Sequence, residues 1–188
     1  QKEHQEKYNI NSVLKILKPN CKIIELDHIT EGAACTTLLA KKFINTNNPL
    51  IIANSDQYIK WDSIKSMYNY NQKKIDGSIL TFEAIHPKWS YAKTDKNNFV
   101  TEVAEKKVIS KNATVGVYYW KKGSDYVNCA ETMIKKNIRV NNEFYVCPVY
   151  NEAIGEGKKI VIDKVSEMHG LGTPDDLKNF ITKKNLTN

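Results

Sequence analysis

Five apolar residues run without a break from Pro49 through Leu50, Ile51 and Ile52 to Ala53. That is the pattern of a strand covered on both faces, as parallel strands of α/β proteins are, so this strand is expected to be interior and parallel to its neighbours. Around it, residues 11–17 predict a helix behind a capping Asn or Ser, 22–26 a short strand, and 32–43 a helix lined with small residues. A helix over 63–72 and a strand over 77–83 follow. This βα alternation predicts a helix-covered, mostly parallel sheet. From His86 the texture changes. Tyr91-Ala92-Lys93, a turn at Asp95-Lys96-Asn97-Asn98 and residues 99–103 predict an antiparallel hairpin. Strands over 115–120 and 159–163 and helices over 125–136, 143–152 and 174–183 complete the chain. Nothing repetitive or linker-like divides it, so residues 1–188 are expected to form one domain: a three-layer α/β/α sandwich with a mixed, mainly parallel sheet.

Composition narrows the class. The 188 residues are 41% hydrophobic and 26% charged, ordinary for a globular domain with a sizeable core. No apolar run approaches the roughly 20 residues needed to cross a bilayer, and no signal-peptide pattern opens the chain, so a cytoplasmic location is expected. Cys21, Cys35, Cys129 and Cys147 contain no C-x-x-C pair and read as buried thiols. The net charge of +7 is spread over short lysine pairs such as Lys41-Lys42, Lys73-Lys74 and Lys106-Lys107. No basic helix emerges, which argues against nucleic acid or a membrane surface as partner; an anionic small molecule needs only one or two of these cations.

Asp56 sits just past the carboxyl end of the 49–53 strand. In open α/β sheets ligands bind there, where loops line the crevice between helices. Asp at that place also serves simply as a turn cap. His86 and His169 both read as loop residues with surface or packing roles.

The segments "TEGAACTTLLA", "PLIIANSDQYI", "YAKTDKNNFVTEVAEKK", "ATVGVYYW", "NNEFYVCPVYNEAI" and "GLGTPDDL" resemble, in order and spacing, the sugar-1-phosphate nucleotidyltransferases, and together they span nearly the whole chain. The resemblance implies the nucleotide-diphospho-sugar transferase fold. It also implies a reaction joining a nucleoside triphosphate to a sugar phosphate with release of pyrophosphate, Mg2+ as cofactor, and self-association into a homo-oligomer as an open option. The family's glycine-rich phosphate loop is not found, and the chain opens with Gln1, so about one N-terminal βαβ unit, ~30 residues or more, is expected to be missing.

Site residues follow from the resemblance. Asp56 matches the first metal ligand. Thr30, Glu31, Gly32 and Ala33 match the base-binding turn, although small residues there also permit close helix packing. Glu105 and Lys106 match the sugar-binding Glu and the phosphate-binding, catalytic Lys, although exposed Glu-Lys pairs are common. Tyr91 lies in the motif upstream of them; Gly116 would admit the sugar ring, and Glu143 would close the pocket. The second metal-binding Asp is missing, because Gly170 stands at its position.

Three functions are therefore in view. The first is a nucleotidyltransferase making an activated sugar or related phosphorylated metabolite, for instance for surface polysaccharide. The second is a non-catalytic binding or regulatory relative, favoured by Gly170 and the absent loop. The third is a glycosyltransferase of the related fold, against which Asn54 counts because an Asp is typical there.

Overall fold

The computed structural model describes residues 1–184. At its centre is a six-stranded mixed sheet with the order β5-β4-β6-β3-β7, and β1 pairs beside β4 on β6. The strands are β1 (Leu50–Ala53), β3 (Gly77–Glu83), β4 (Ser90–Thr94), β5 (Val100–Glu105), β6 (Asn112–Trp120) and β7 (Ile160–Lys164). A separate two-stranded ribbon joins β2 (Gln57–Lys60) to β8 (Glu167–Gly170).

The mixed sheet matches expectation, but its strand directions do not. Only β3 and β7 pair in parallel among the described residues; β1–β6, β3–β6, β4–β5, β4–β6 and β2–β8 are antiparallel. The strand expected to be interior, β1, pairs on one side alone among the described residues. Leu50 and Ile52 pack on the main core, whereas Ile51 is 47% exposed. A continuous apolar run reports which side chains can be buried, not which strand lies alongside, and β1's partner comes from more than 60 residues further on.

One face of the sheet carries α3 (Ala33–Leu38), α4 (Lys41–Ile44), α6 (Gly123–Lys135) and α7 (Val149–Gly155). Along β6 the alternation of strand side chains sends Tyr118 and Trp120 into this layer. Trp120 stacks on Tyr150 at 4.3 Å between ring centroids, a contact of a kind that contributes about 0.5–1.5 kcal/mol beyond its buried area. The Tyr150 hydroxyl donates to the carbonyls of Tyr119 (2.8 Å) and Ser78 (3.2 Å), tying α7 to both β6 and β3.

The other face sends Tyr119, Val117 and Val115 toward α5 (Ser63–Lys73) and the β2–β8 ribbon. Here one oxygen of Asp163 accepts from Trp61 Nε1 (3.0 Å), Tyr70 Oη (2.7 Å) and Ser66 Oγ, fixing α5 to the end of β7. The ribbon is closed by α8 (Pro174–Lys183), capped as its sequence predicts: Thr173 Oγ1 accepts from Asp176 N–H and Pro174 takes the first helical position. Two short helices, α1 (Lys2–Tyr8) and α2 (Ile10–Leu17), lead into the domain and bury no residue.

Other boundaries moved for local reasons. The helix expected over 32–43 is broken after α3, where Thr36 and Thr37 hydroxyls bond back to the carbonyls of Gly32 and Ala34 and tighten the turn. Residues 143–148 are loop rather than helix, and α7 starts only after Pro148, whose fixed φ suits a helix start. Residues 22–26 form no strand, and His169 lies on β8, packed against Tyr58 and Phe180. Cys129 and Cys147 are buried as expected, but Cys21 and Cys35 are only partly so; all four thiols are free. No described helix is long and apolar enough to cross a membrane.

Candidate active site

Two strands share one edge of β6. Tyr91 of β4 pairs with Ala113 near its start, and β1 pairs with residues 117–120 at its end. Between them β6 bulges, since its register with β3 shifts around Leu80. At the bulge Gly116 has φ +75, a conformation that glycine adopts without strain. Its carbonyl accepts the Asn54 N–H (2.9 Å). The fork between β1 and β4 opens a cleft of about 220 Å³ lined by Ala33, Asn54, Ser90, Glu105, Gly116 and Tyr145, among others.

Of the residues expected on the sugar side, Glu105 and Gly116 line this cleft, whereas Lys106 and Glu143 lie beside it without lining it. Glu105 ends β5 at the cleft and receives a hydrogen bond from Ser90 Oγ. Burial pushes its carboxyl above the ordinary range, and the neighbouring Glu143 adds to this, while Ser90 and Lys106 pull the other way. Lys106 follows at φ +54, with its N–H bonded to Trp89 O (3.1 Å). Its ammonium donates to Tyr145 Oη (2.6 Å), the first cause of a pKa raised above the lysine norm. Glu143 is exposed on the same side and acts electrostatically on both Glu105 and Lys106.

Other expectations are corrected. Tyr91 does not reach the cleft. It is fully buried on the opposite face of β4 and donates its hydroxyl to His86 O (2.7 Å), while Ser90, one residue earlier, faces Glu105. Of the 30–34 turn only Ala33 lines the cleft. Thr30 donates to Gly32 O (3.0 Å) and Glu31 is paired with Arg139 Nη2, so both side chains are engaged within the protein. A Cβ on Gly32, at φ +131, would lie 2.5 Å from Phe144 O, so packing alone requires glycine there. The turn is pinned by Phe144 N–H to Glu31 O (2.8 Å) and Ala34 N–H to Phe144 O (2.9 Å). At Gly116 the space a Cβ would take is filled by the Asn54 side chain, 2.3 Å away, not left open for a sugar ring.

Asp56 is exposed beside the cleft, flanked by the lining residues Asn54 and Gln57. Its carbonyl accepts Leu171 N–H (2.7 Å), and its carboxylate lies over Gly172, where a Cβ would come within 2.8 Å. In the ribbon, Gln57 faces Gly170, so the two positions implied for metal ligands are adjacent. Gly170 brings no carboxylate, although a Cβ there would meet nothing within 4 Å. Among the described residues no three His, Cys, Asp or Glu side chains gather as a metal site. One carboxylate does not hold Mg2+ by itself; it fits only an ion that arrives already bound to substrate phosphates.

Sequence reasoning missed Asn54, Gln57, Lys88, Trp89, Ser90 and Tyr145. For Lys88-Trp89, a basic-aromatic pair just before the hairpin was the available sign; Lys88 now lies 4.7 Å over the Trp89 ring. For Tyr145 the sign was its place two residues after Glu143.

A mixed sheet with helices on both faces and a cleft at the carboxyl end of β1 is an α/β fold that this chain shares with solved nucleotide-sugar pyrophosphorylases. The chain is similar to a nucleoside-diphosphate-sugar pyrophosphorylase from Vibrio cholerae RC9, with TM-score 0.74 and 23% identity over 93% of this chain and 75% of that one. It is similar as well to a Bacillus anthracis protein, a candidate glucose-1-phosphate thymidylyltransferase determined in complex with sucrose (TM-score 0.71, 16% identity, 95% of this chain and 73% of that one). A UDP-glucose pyrophosphorylase complexed with UDP-glucose gives TM-score 0.69 at 15% identity, covering 96% of this chain and 73% of that one. No protein-family model matches the chain, and no curated protein matches it.

Proposed function

We propose that this chain is a nucleotidyltransferase that joins a nucleoside triphosphate to a sugar 1-phosphate or related phosphorylated metabolite and releases pyrophosphate. The observation that carries this reading is the convergence of Glu105, Gly116 and Ala33, from separate segments, on one cleft at the β1/β4 fork, with Lys106 bonded to the lining residue Tyr145 at its edge. Support comes from the shared fold.

In the proposed reaction a phosphate oxygen of the acceptor attacks the α-phosphorus. The bond to the β-phosphate breaks and pyrophosphate leaves. Charge grows on non-bridging oxygens, so catalysis is positioning plus neutralisation. Glu105 accepts a hydroxyl of the sugar, Lys106 binds the acceptor phosphate, and Glu143 bounds the pocket. The 30–34 turn presents backbone to the base, and Asp56 faces the triphosphate. Mg2+ carried by the triphosphate would supply further neutralisation, with Asp56 as protein ligand. The product suits cytoplasmic supply of a surface-polysaccharide pathway.

Gly170 and the isolation of Asp56 favour one second reading, a binding relative without catalysis. A panel of triphosphates and sugar 1-phosphates assayed for pyrophosphate release, paired with calorimetric titration of the same acceptors, separates the two. Release that depends on Glu105 and Lys106 supports the enzyme. Acceptor binding with no release from any pair supports the binding protein, and neither signal overturns both.

A further inference from the structure

Lys106 is the cation assigned above to the acceptor phosphate, yet a lysine on a solvent-exposed turn has four rotatable side-chain bonds and no fixed aim. Here its backbone is held in the left-handed region and bonded to Trp89 O at 3.1 Å. Its ammonium donates to the Tyr145 hydroxyl (2.6 Å), approaching it from beyond the ring edge. Tyr145 is itself anchored: the neighbouring Phe144 exchanges two backbone hydrogen bonds with the 31–34 turn, and Arg139 stacks 4.0 Å from the Phe144 ring while pairing with Glu31.

We propose that Tyr145, which lines the cleft, is a positioning residue whose hydroxyl holds the Lys106 ammonium at the edge of the cleft where a phosphate of the acceptor binds. This rests on the acceptor-phosphate role of Lys106. A phenol oxygen accepts one ammonium proton and leaves the other two to donate to phosphate oxygens. It also keeps Lys106 protonated, since the hydrogen bond favours the charged form.

The test uses the chain labelled with carbon-13 at lysine Cε, with the Lys106 signal identified by Lys106→Arg. Glucose 1-phosphate and, separately, inorganic phosphate are the probes. In the wild type the Lys106 signal is expected to shift saturably with glucose 1-phosphate. In Tyr145→Phe, which keeps the ring and is expected to leave thermal stability unchanged, half-saturation should need about three- to tenfold more probe, the range for loss of one exposed, charge-assisted hydrogen bond. The alkaline titration midpoint of Lys106 should also move down, a change that a purely structural role would not produce. A wild type that responds and a Tyr145→Phe chain that responds at the same concentrations overturns the positioning role alone. A wild-type Lys106 signal indifferent to both probes overturns the acceptor-phosphate reading of Lys106, and the role of Tyr145 with it.

Discussion

The side chain of Asn54 fills the volume that a β-carbon on Gly116 would occupy, 2.3 Å from Nδ2, while its backbone N–H binds the Gly116 carbonyl. The end of β1 and the bulge of β6 are thereby locked together at the cleft. Gly116→Ala is expected to destabilise the fold by roughly 2–4 kcal/mol, the sum of a left-handed alanine and an overpacked contact. Chemical denaturation measures this. Adding Asn54→Ala should recover the overlap part and leave the backbone part, so equal stabilities of the single and double variants would show that Asn54 does not fill the space.

Asp56→Asn keeps size and removes charge at a residue exposed beside the cleft. Loss of one preorganised electrostatic contact at a developing charge typically lowers turnover about 10²–10³-fold. Pyrophosphate release should fall by at least the lower figure with circular dichroism unchanged. Near-normal release would reduce Asp56 to a turn residue.

Gly170 stands opposite Gln57, next to Asp56, and has room for a side chain. Gly170→Asp is therefore expected to fold normally and to place a second carboxylate beside the first. Affinity for Mn2+, followed by proton relaxation enhancement, should rise over the wild type; no rise would mean that the two carboxylates do not converge.

Glu105 is held protonated more readily in the folded chain, chiefly by burial. A carboxyl whose folded pKa is raised contributes stability below its unfolded pKa and loses it as pH rises through the folded value. Glu105→Gln should melt higher than the wild type at pH 7, and the difference should vanish as the pH falls below the ordinary glutamate range. Calorimetry across that window is the check, and sugar-phosphate affinity should fall in the same variant.

Asp163→Ala removes the shared acceptor of Trp61, Ser66 and Tyr70. Unpaired donors in a partly buried site typically cost about 1–3 kcal/mol each when water cannot reach them, and partial exposure here brings the expected total to roughly 2–4 kcal/mol. Hydrogen exchange should accelerate first in α5, and uniform acceleration would contradict the local anchor.

How much of this was legible depended on whether the information was local. The strand 77–83 and the helix 174–183 match β3 and α8 residue for residue, because an unbroken buried run and a Thr-Pro-Asp-Asp start are read from neighbours alone. The β2–β8 ribbon was invisible, being only four residues a side, too short for a period to show, with two apolar residues adjacent in β2. Pairing direction was equally hidden, since nothing in Leu50–Ala53 names β6. Tyr91 and Ser90 show the finer limit: a motif locates a strand, but a one-residue phase decides which side chain enters the cleft. Glu105 and Lys106 were legible as a pair, whereas the Tyr145 contact, 39 residues away, exists only after folding.

The fork on β6 separates two tasks within one strand. Residues 117–120 hold the register of β1, while 114–116, with Tyr118 and the loops leaving β1 and entering β4, shape the cleft. Rim residues such as Lys88 and Trp89, in the loop before β4, and Gln57, in the separate β2–β8 ribbon, lie outside every pairing of the six-stranded sheet, so their side chains can change with the ligand without disturbing it. A lineage of such domains can retune what it recognises by substitution at the fork's rim, whereas a single insertion at the 115–117 bulge would shift the whole frame on which recognition is built.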